Sequence, residues 1–176
     1  MKLSRKLAAI TCLSLLGSLA FAQSQSVQKK SNTESETSVE NEYLNDVDGE
    51  IISNLATSDD LDNKLVALQF LQDAIDAGNT SEAVIKALDQ LAGEGVTSET
   101  REGGRKINNF PQIRRQACLL LAKVPTEHSK NTLVKIAVAD NEPMVIAAAV
   151  NSLGTIGINN NDEVVSAIAF ANKRNQ

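Results

Sequence analysis

The chain has 176 residues, 42% of them hydrophobic, with 17 basic and 22 acidic residues, one histidine, two cysteines and no tryptophan. That length suits one domain burying about two-thirds of its unfolded surface, with no second domain required. A formal charge of −5 and a few dispersed aromatics beyond residue 22 (Tyr43, Phe70, Phe110, Phe170) exclude nucleic acid as the expected partner, because binding it calls for a basic stripe or a stacking platform.

In chain order, Lys2, Arg5 and Lys6 open the sequence, Leu7 to Leu19 is an apolar run, and Ala20-Phe21-Ala22 places small residues where a signal peptidase needs them. Residues 1–22 are therefore expected to be a signal peptide cut before Gln23, and the protein to be periplasmic or secreted. The apolar run is shorter than the about 20 residues a bilayer span requires, and nothing later is long and apolar enough to insert. Cys12 as a lipidated N-terminus is the weaker alternative, since Thr11 rather than Gly or Ala precedes it. Removing 22 of 176 residues leaves 154, and removing three bases with no acid leaves 14 bases against 22 acids, a charge of −8. Glu34 to Asp62 holds ten acids and no base, whereas Arg101 to Lys135 holds eight bases against Glu102 and Glu127. Only Cys118 remains after cleavage, so no intramolecular disulfide is possible. Its setting, Ala-Cys-Leu-Leu-Leu, is that of a small buried apolar residue.

Residues 23–37 contain one Val among polar residues and gain too little from burial to order, which marks a disordered linker. Thr37-x-x-Glu40 is a capping box, after which Val39, Tyr43, Val47, Ile51 and Leu55 lay one apolar stripe along a first helix. A second helix starts near Ser58 or Asp59, carries Leu61, Leu65, Leu68, Leu71 and Ile75, and stops at Gly78. A third runs from Thr80 or Ser81 through Val84, Ala87, Leu88 and Leu91 to Gly93. Residues 93–110 have four glycines and almost no apolar periodicity, so they form a loop insertion, either solvated or used for contact. Helix four runs from Pro111 to about Val124, and Pro125 helps end it. Helices five (about Ser129 to Ala139), six (Pro143 to Ile156) and seven (Asp162 to about Asn172) follow, the last with charges that complement the helix dipole.

Shifting the chain by 32 residues sets Pro111, Ile113, Ala117, Leu121 and Val124 over Pro143, Val145, Ala149, Leu153 and Ile156, and Leu133, Ile136 and Ala137 over Val165, Ile168 and Ala169. Such a period implies units that bury their apolar faces only by stacking. The expected fold is all-α, an α-solenoid of about seven helices over residues 38–176, with three antiparallel hairpins and a half repeat. Asp140-x-x-Pro143-x-Val145 with Ala148, Ala149, Leu153-Gly154 and Ile156-Gly157 resembles a HEAT or HEAT-like repeat, closest to the phycobilin-lyase type. The resemblance implies a curved stack of hairpins that binds other proteins. It also implies that Arg114, at the position of an Arg on the second helix of a unit, bonds Asp140 at the hinge of the next. Ile146 stands where the following unit would carry its Arg, so a continuous ladder is not expected.

No catalytic, cofactor or metal constellation is expected. His128, the only histidine, lies in the polar turn Thr126-Glu127-His128-Ser129, and a zinc site needs three or four ligands. Asp59, Asp60, Asp62, Asp140 and Glu142 stand at helix starts, where capping is the ordinary role. Gly103-Gly104-Arg105-Lys106 lacks the Gly-Lys-Ser/Thr ending of a nucleotide loop. The candidate partner contacts are Arg101, Arg105, Lys106, Arg114 and Arg115. As one basic patch they would meet an acidic protein surface, an anionic envelope polymer, or the chain's own acidic first helix. The expected function is non-enzymatic: an exported interaction or scaffolding module whose partner is another envelope or secreted protein. The alternatives are a lyase-like or other enzyme subunit of this fold, which would need a pocket with converging polar groups, and an anionic-polymer binder. Oligomeric state is left open.

Overall fold

Local chemistry sets the helix ends. Asp60 accepts the N–H of Asp62 at 3.0 Å and starts α2 (Leu61–Asp76). At its other end Gly78 takes a φ of 84°, its N–H reaches Ile75 O, and the Asn79 N–H reaches Ala74 O. This paired capping satisfies carbonyls the helix leaves unbonded. Before α2 stands α1, described from 48 to 57, and after it come α3 (Glu82–Gly93), α4 (Pro111–Leu121), α5 (Glu127–Ala139), α6 (Pro143–Ile156) and α7 (Glu163–Arg174). The structure, a computed structural model, describes residues 48–174. The expected signal peptide and linker, and the part of the first helix before residue 48, lie outside the described residues.

Proline opens α4 and α6, where its missing N–H would have had no helical partner. Thr126 accepts the Ser129 N–H at 3.1 Å, so α5 begins two residues earlier than the apolar periodicity indicated. Conversely, α4 ends at Leu121 and not at Val124: Lys123 and Val124 make tighter three-residue bonds to Leu120 and Leu121 before Pro125. Gly157, at φ 69°, closes α6 with its N–H on Leu153 O.

The described residues form an all-α fold apart from one small hairpin in the 93–110 segment, β1 (Arg101–Glu102) against β2 (Arg105–Lys106). The helices pack in an order set by their buried faces: α2 against α4 and α4 against α6, with α3 against α5 and α5 against α7. Cross-contacts join α3 to α4 and α5 to α6, so α6 rests on both α4 and α5. Its Val145, Ala148, Ala149 and Leu153 meet a core centred on Ile113, Ala117, Leu121, Leu133 and Ile136, all essentially inaccessible to solvent. Small residues on α6 let its backbone come close to its two neighbours.

Candidate functional site

The fourth residue of α2 is Lys64, of α4 Arg114 and of α6 Ile146. Lys64 and Arg114 are each 1% exposed, an expensive place for a cation unless every donor is engaged. Lys64 Nζ meets Glu94 Oε2 at 2.9 Å and the Ala56 carbonyl at 3.0 Å. Arg114 Nε and Nη2 meet the two carboxylate oxygens of Asp140 at 2.6 and 3.1 Å, a fork-to-fork geometry. Its Nη1 donates to the Glu94 carbonyl at 3.2 Å and to Asn109 Oδ1 at 2.9 Å. Glu94 and Asp140 are the C-cap residues of α3 and α5. Each base therefore fastens the C-terminal end of a neighbouring helix, the end whose free carbonyls favour positive charge. Arg174 of α7 adds to this line, donating to Val138 O at 2.6 Å, to Asn141 Oδ1 at 2.8 Å and to Asp140 O.

The pairing of Arg114 with Asp140 is the one implied at the sequence level. Its consequence corrects another expectation: Arg114 belongs to the core and cannot contribute to a surface patch, because its guanidinium is spent on Asp140, Asn109 and Glu94. Asp140 likewise does more than cap: besides accepting the Glu142 N–H at 2.9 Å, it is the buried counter-charge. The Lys64 and Glu94 pair was missed. Residues 94–110 separate α3 from α4 where only 140–142 separate α5 from α6, which breaks the 32-residue register that would have revealed it.

The 93–110 segment is built. Gly95 has φ 71°, and a Cβ there would stand 2.3 Å from the Asn108 carbonyl oxygen, so only glycine fits. Asn108, 2% exposed, accepts the Thr100 N–H at 2.9 Å and donates to Ser98 O at 2.6 Å, closing the segment across its base. Gly103 and Gly104, both at positive φ, make the two-residue turn between β1 and β2. Glu99 sits between Lys106 (2.6 Å) and Arg101 (2.9 Å), and their hydrogen bonds, that of Lys106 foremost, hold its carboxyl below the ordinary range. Lys106 also donates to Gly95 O at 2.5 Å. Arg105 stands opposite Glu102 in the strand register and, like Arg115, makes no ion pair among the described residues. Arg115 lines a different surface, a groove of about 380 Å³ between α2, α4 and Met144, to which no hairpin residue contributes. The five bases thus fall into three settings: hairpin, core and groove.

His128 lies in the first turn of α5 and not in an interhelical turn. Its Nε2 contacts Asp89 of α3, and Thr132 Oγ1 donates to the other oxygen of Asp89 at 2.6 Å. The carboxylate stands between hydroxyl and imidazole, so the hydroxyl proton points at Asp89 and these three groups do not make a nucleophile-and-base pair. They join α3 to α5. Lys130 joins α5 to α7 through Glu163 and pairs within α5 with Glu127, and the hydrogen bonds of Glu127 first and then Glu163 raise its ammonium above the ordinary lysine range. Cys118 is inaccessible, and burial first, then the field of Asp140, pushes its thiol up to about 12. It stays protonated and packs as an apolar side chain. Among the described residues no group of three or more His, Cys, Asp or Glu could hold a metal ion, and no helix is long and apolar enough to cross a membrane.

A groove of about 520 Å³ lies between α6 and α7, lined by Ile146, Val150, Val165, Ile168 and neighbouring small residues. Val165 within it is 56% exposed. No protein-family model, curated protein or solved structure matches the chain.

Two outcomes follow from this geometry. Arg114→Met leaves Asp140 buried and unpaired, and should lower unfolding free energy in urea by about 3–5 kcal/mol, whereas adding Asp140→Leu should recover part of that loss. A depressed Glu99 pKa contributes stability that is present above the unfolded value of 4.5 and lost as pH falls through the lower folded value. Hydrogen exchange at the Ile107 amide, which bonds Thr100 O, should therefore be slow at pH 5 and accelerate, beyond its intrinsic pH trend, in more acidic solution. Glu99→Gln should remove that acid-dependent step.

Proposed function

We propose that this chain is an exported, non-enzymatic interaction module, a HEAT-like α-solenoid that presents the groove between α6 and α7 to another envelope or secreted protein. The observation that carries the reading is that groove: a continuous aliphatic surface on a frame whose hinges are pinned by buried ion pairs. Exposed apolar surface of this kind, set on rigid elements, is the common mark of a protein-binding site. The order of helix packing supports the solenoid, since alternate helices contact one another along the chain and each pair rests on the next. Export rests on the basic, apolar and small-residue sequence of residues 1–22.

A role in binding anionic envelope polymers has weaker support, because Glu99 already occupies Arg101 and Lys106 and leaves the hairpin little net charge. Crosslinking followed by mass spectrometry on the envelope of the producing cells tests the reading. One stoichiometric protein partner is expected, joined through lysines near the groove such as Lys173 of α7 in preference to Lys86 of α3. Recovery of the chain without any crosslinked protein would overturn it.

A further inference from the structure

The groove between α6 and α7 has an equivalent inside the same molecule. Under the 32-residue shift, Val150, Val165, Ile168 and Ala169 correspond to Cys118, Leu133, Ile136 and Ala137. Those four equivalents are at most 1% exposed, and the helices that carry them, α4 and α5, both pack against α6. In the later unit Val165 is 56% exposed, Ala169 is exposed, and Val150 and Ile168 are only partly buried. The fold thus repeats the seat of a helix and, within residues 48–174, does not fill it.

The polar positions of the seat say what kind of helix belongs there. Under α6 the residues are Arg114 and Asp140, which neutralise each other. In the later unit they are Ile146 and Asn172, both lining the groove and neither charged. A charged residue brought against them would lose its water and meet no counter-charge, which disfavours its entry. The seat selects an uncharged face.

We propose that the α6/α7 groove receives an amphipathic helix from the partner protein, whose inserted face is uncharged and built from alanine and aliphatic residues, like the Val145, Ala148, Ala149 and Leu153 face of α6. This rests on the reading of the chain as a stacked interaction module and names the form in which the partner enters it. The pattern matches the general mode in which an apolar helix face lies in a hydrophobic groove, read out at i, i+3, i+4 and i+8.

The probe is a fluorescently labelled synthetic peptide with the sequence of residues 141–157, which is α6 with its hinge and its capping glycine. It is titrated with the chain from Gln23 onward, and anisotropy is followed. Saturable binding is expected, weakened at least tenfold by Val165→Glu in the protein or by Ala149→Glu in the peptide, and unchanged by Phe70→Glu, a substitution at an exposed position on α2. In a second measurement the same sequence is tethered behind Gln176 through a Gly-Ser linker. The tether should raise the melting temperature, and Val165→Glu should abolish the rise.

Absence of both binding and the thermal rise overturns the proposal, as does binding that survives Val165→Glu. A Val165-dependent dimer of the chain alone in sedimentation would also overturn it, by making a second copy the occupant. Envelope crosslinks that persist in the Val165→Glu chain would leave the interaction role standing and remove only this groove from it.

Discussion

The forked bonds between Arg114 and Asp140 tie α4 to the hinge after α5 at the centre of the helix packing. An arginine with 1% of its surface exposed has no solvent to fall back on, so its donors depend on the fold, and four hydrogen bonds engage them. Those four bonds come from three directions: the hinge after α5, the end of α3 and the segment before α4. Any sliding of α4 against α5 and α6 would strand a charge in the core. Such a pair is weak evidence for net stability, and its use lies in registry. Apolar side chains alone would let neighbouring helices settle at several offsets; a forked pair of bonds permits one.

Lys64 and Glu94 repeat the device one unit earlier with a different cation. The ammonium makes a point contact where the guanidinium makes a fork, and it takes its second bond from the end of α1. The device then lapses at Ile146. At this position the surface keeps its apolar character and lacks the ionic contact, Ile146 and Asn172 standing where α4 and the hinge after α5 carry Arg114 and Asp140. The packing that joins α4, α5 and α6 leaves an apolar groove between α6 and α7.

What could be read in advance follows from how local the cause was. The limits of α6 were legible because Pro143 and Gly157 act within one turn of where they stand. The Arg114 and Asp140 pair was expected only from the resemblance drawn for Pro111 to Val124 and Asn131 to Gly157, and not from composition or periodicity. The partner of Lys64 was not, since the insertion between α3 and α4 hides its spacing. In the 93–110 segment two adjacent glycines flanked by charged residues were the available sign of a tight hairpin turn, and periodicity of apolar residues could not report it because the strands carry none. The contact of His128 with Asp89 joins residues 39 apart in sequence, and neither sits in a pattern that marks it. Arg114 falls outside the expected patch for a physical reason: a run of bases along a chain says nothing about which of them face inward.

Native-state hydrogen exchange on the unmodified chain tests the registry role most directly. If buried ion pairs tie the hinges to their neighbours, the slowest amides of α4 and α6 should open together, at one free energy close to that of global unfolding. Amides of α6 exchanging well before those of α4, at a clearly lower free energy, would contradict it.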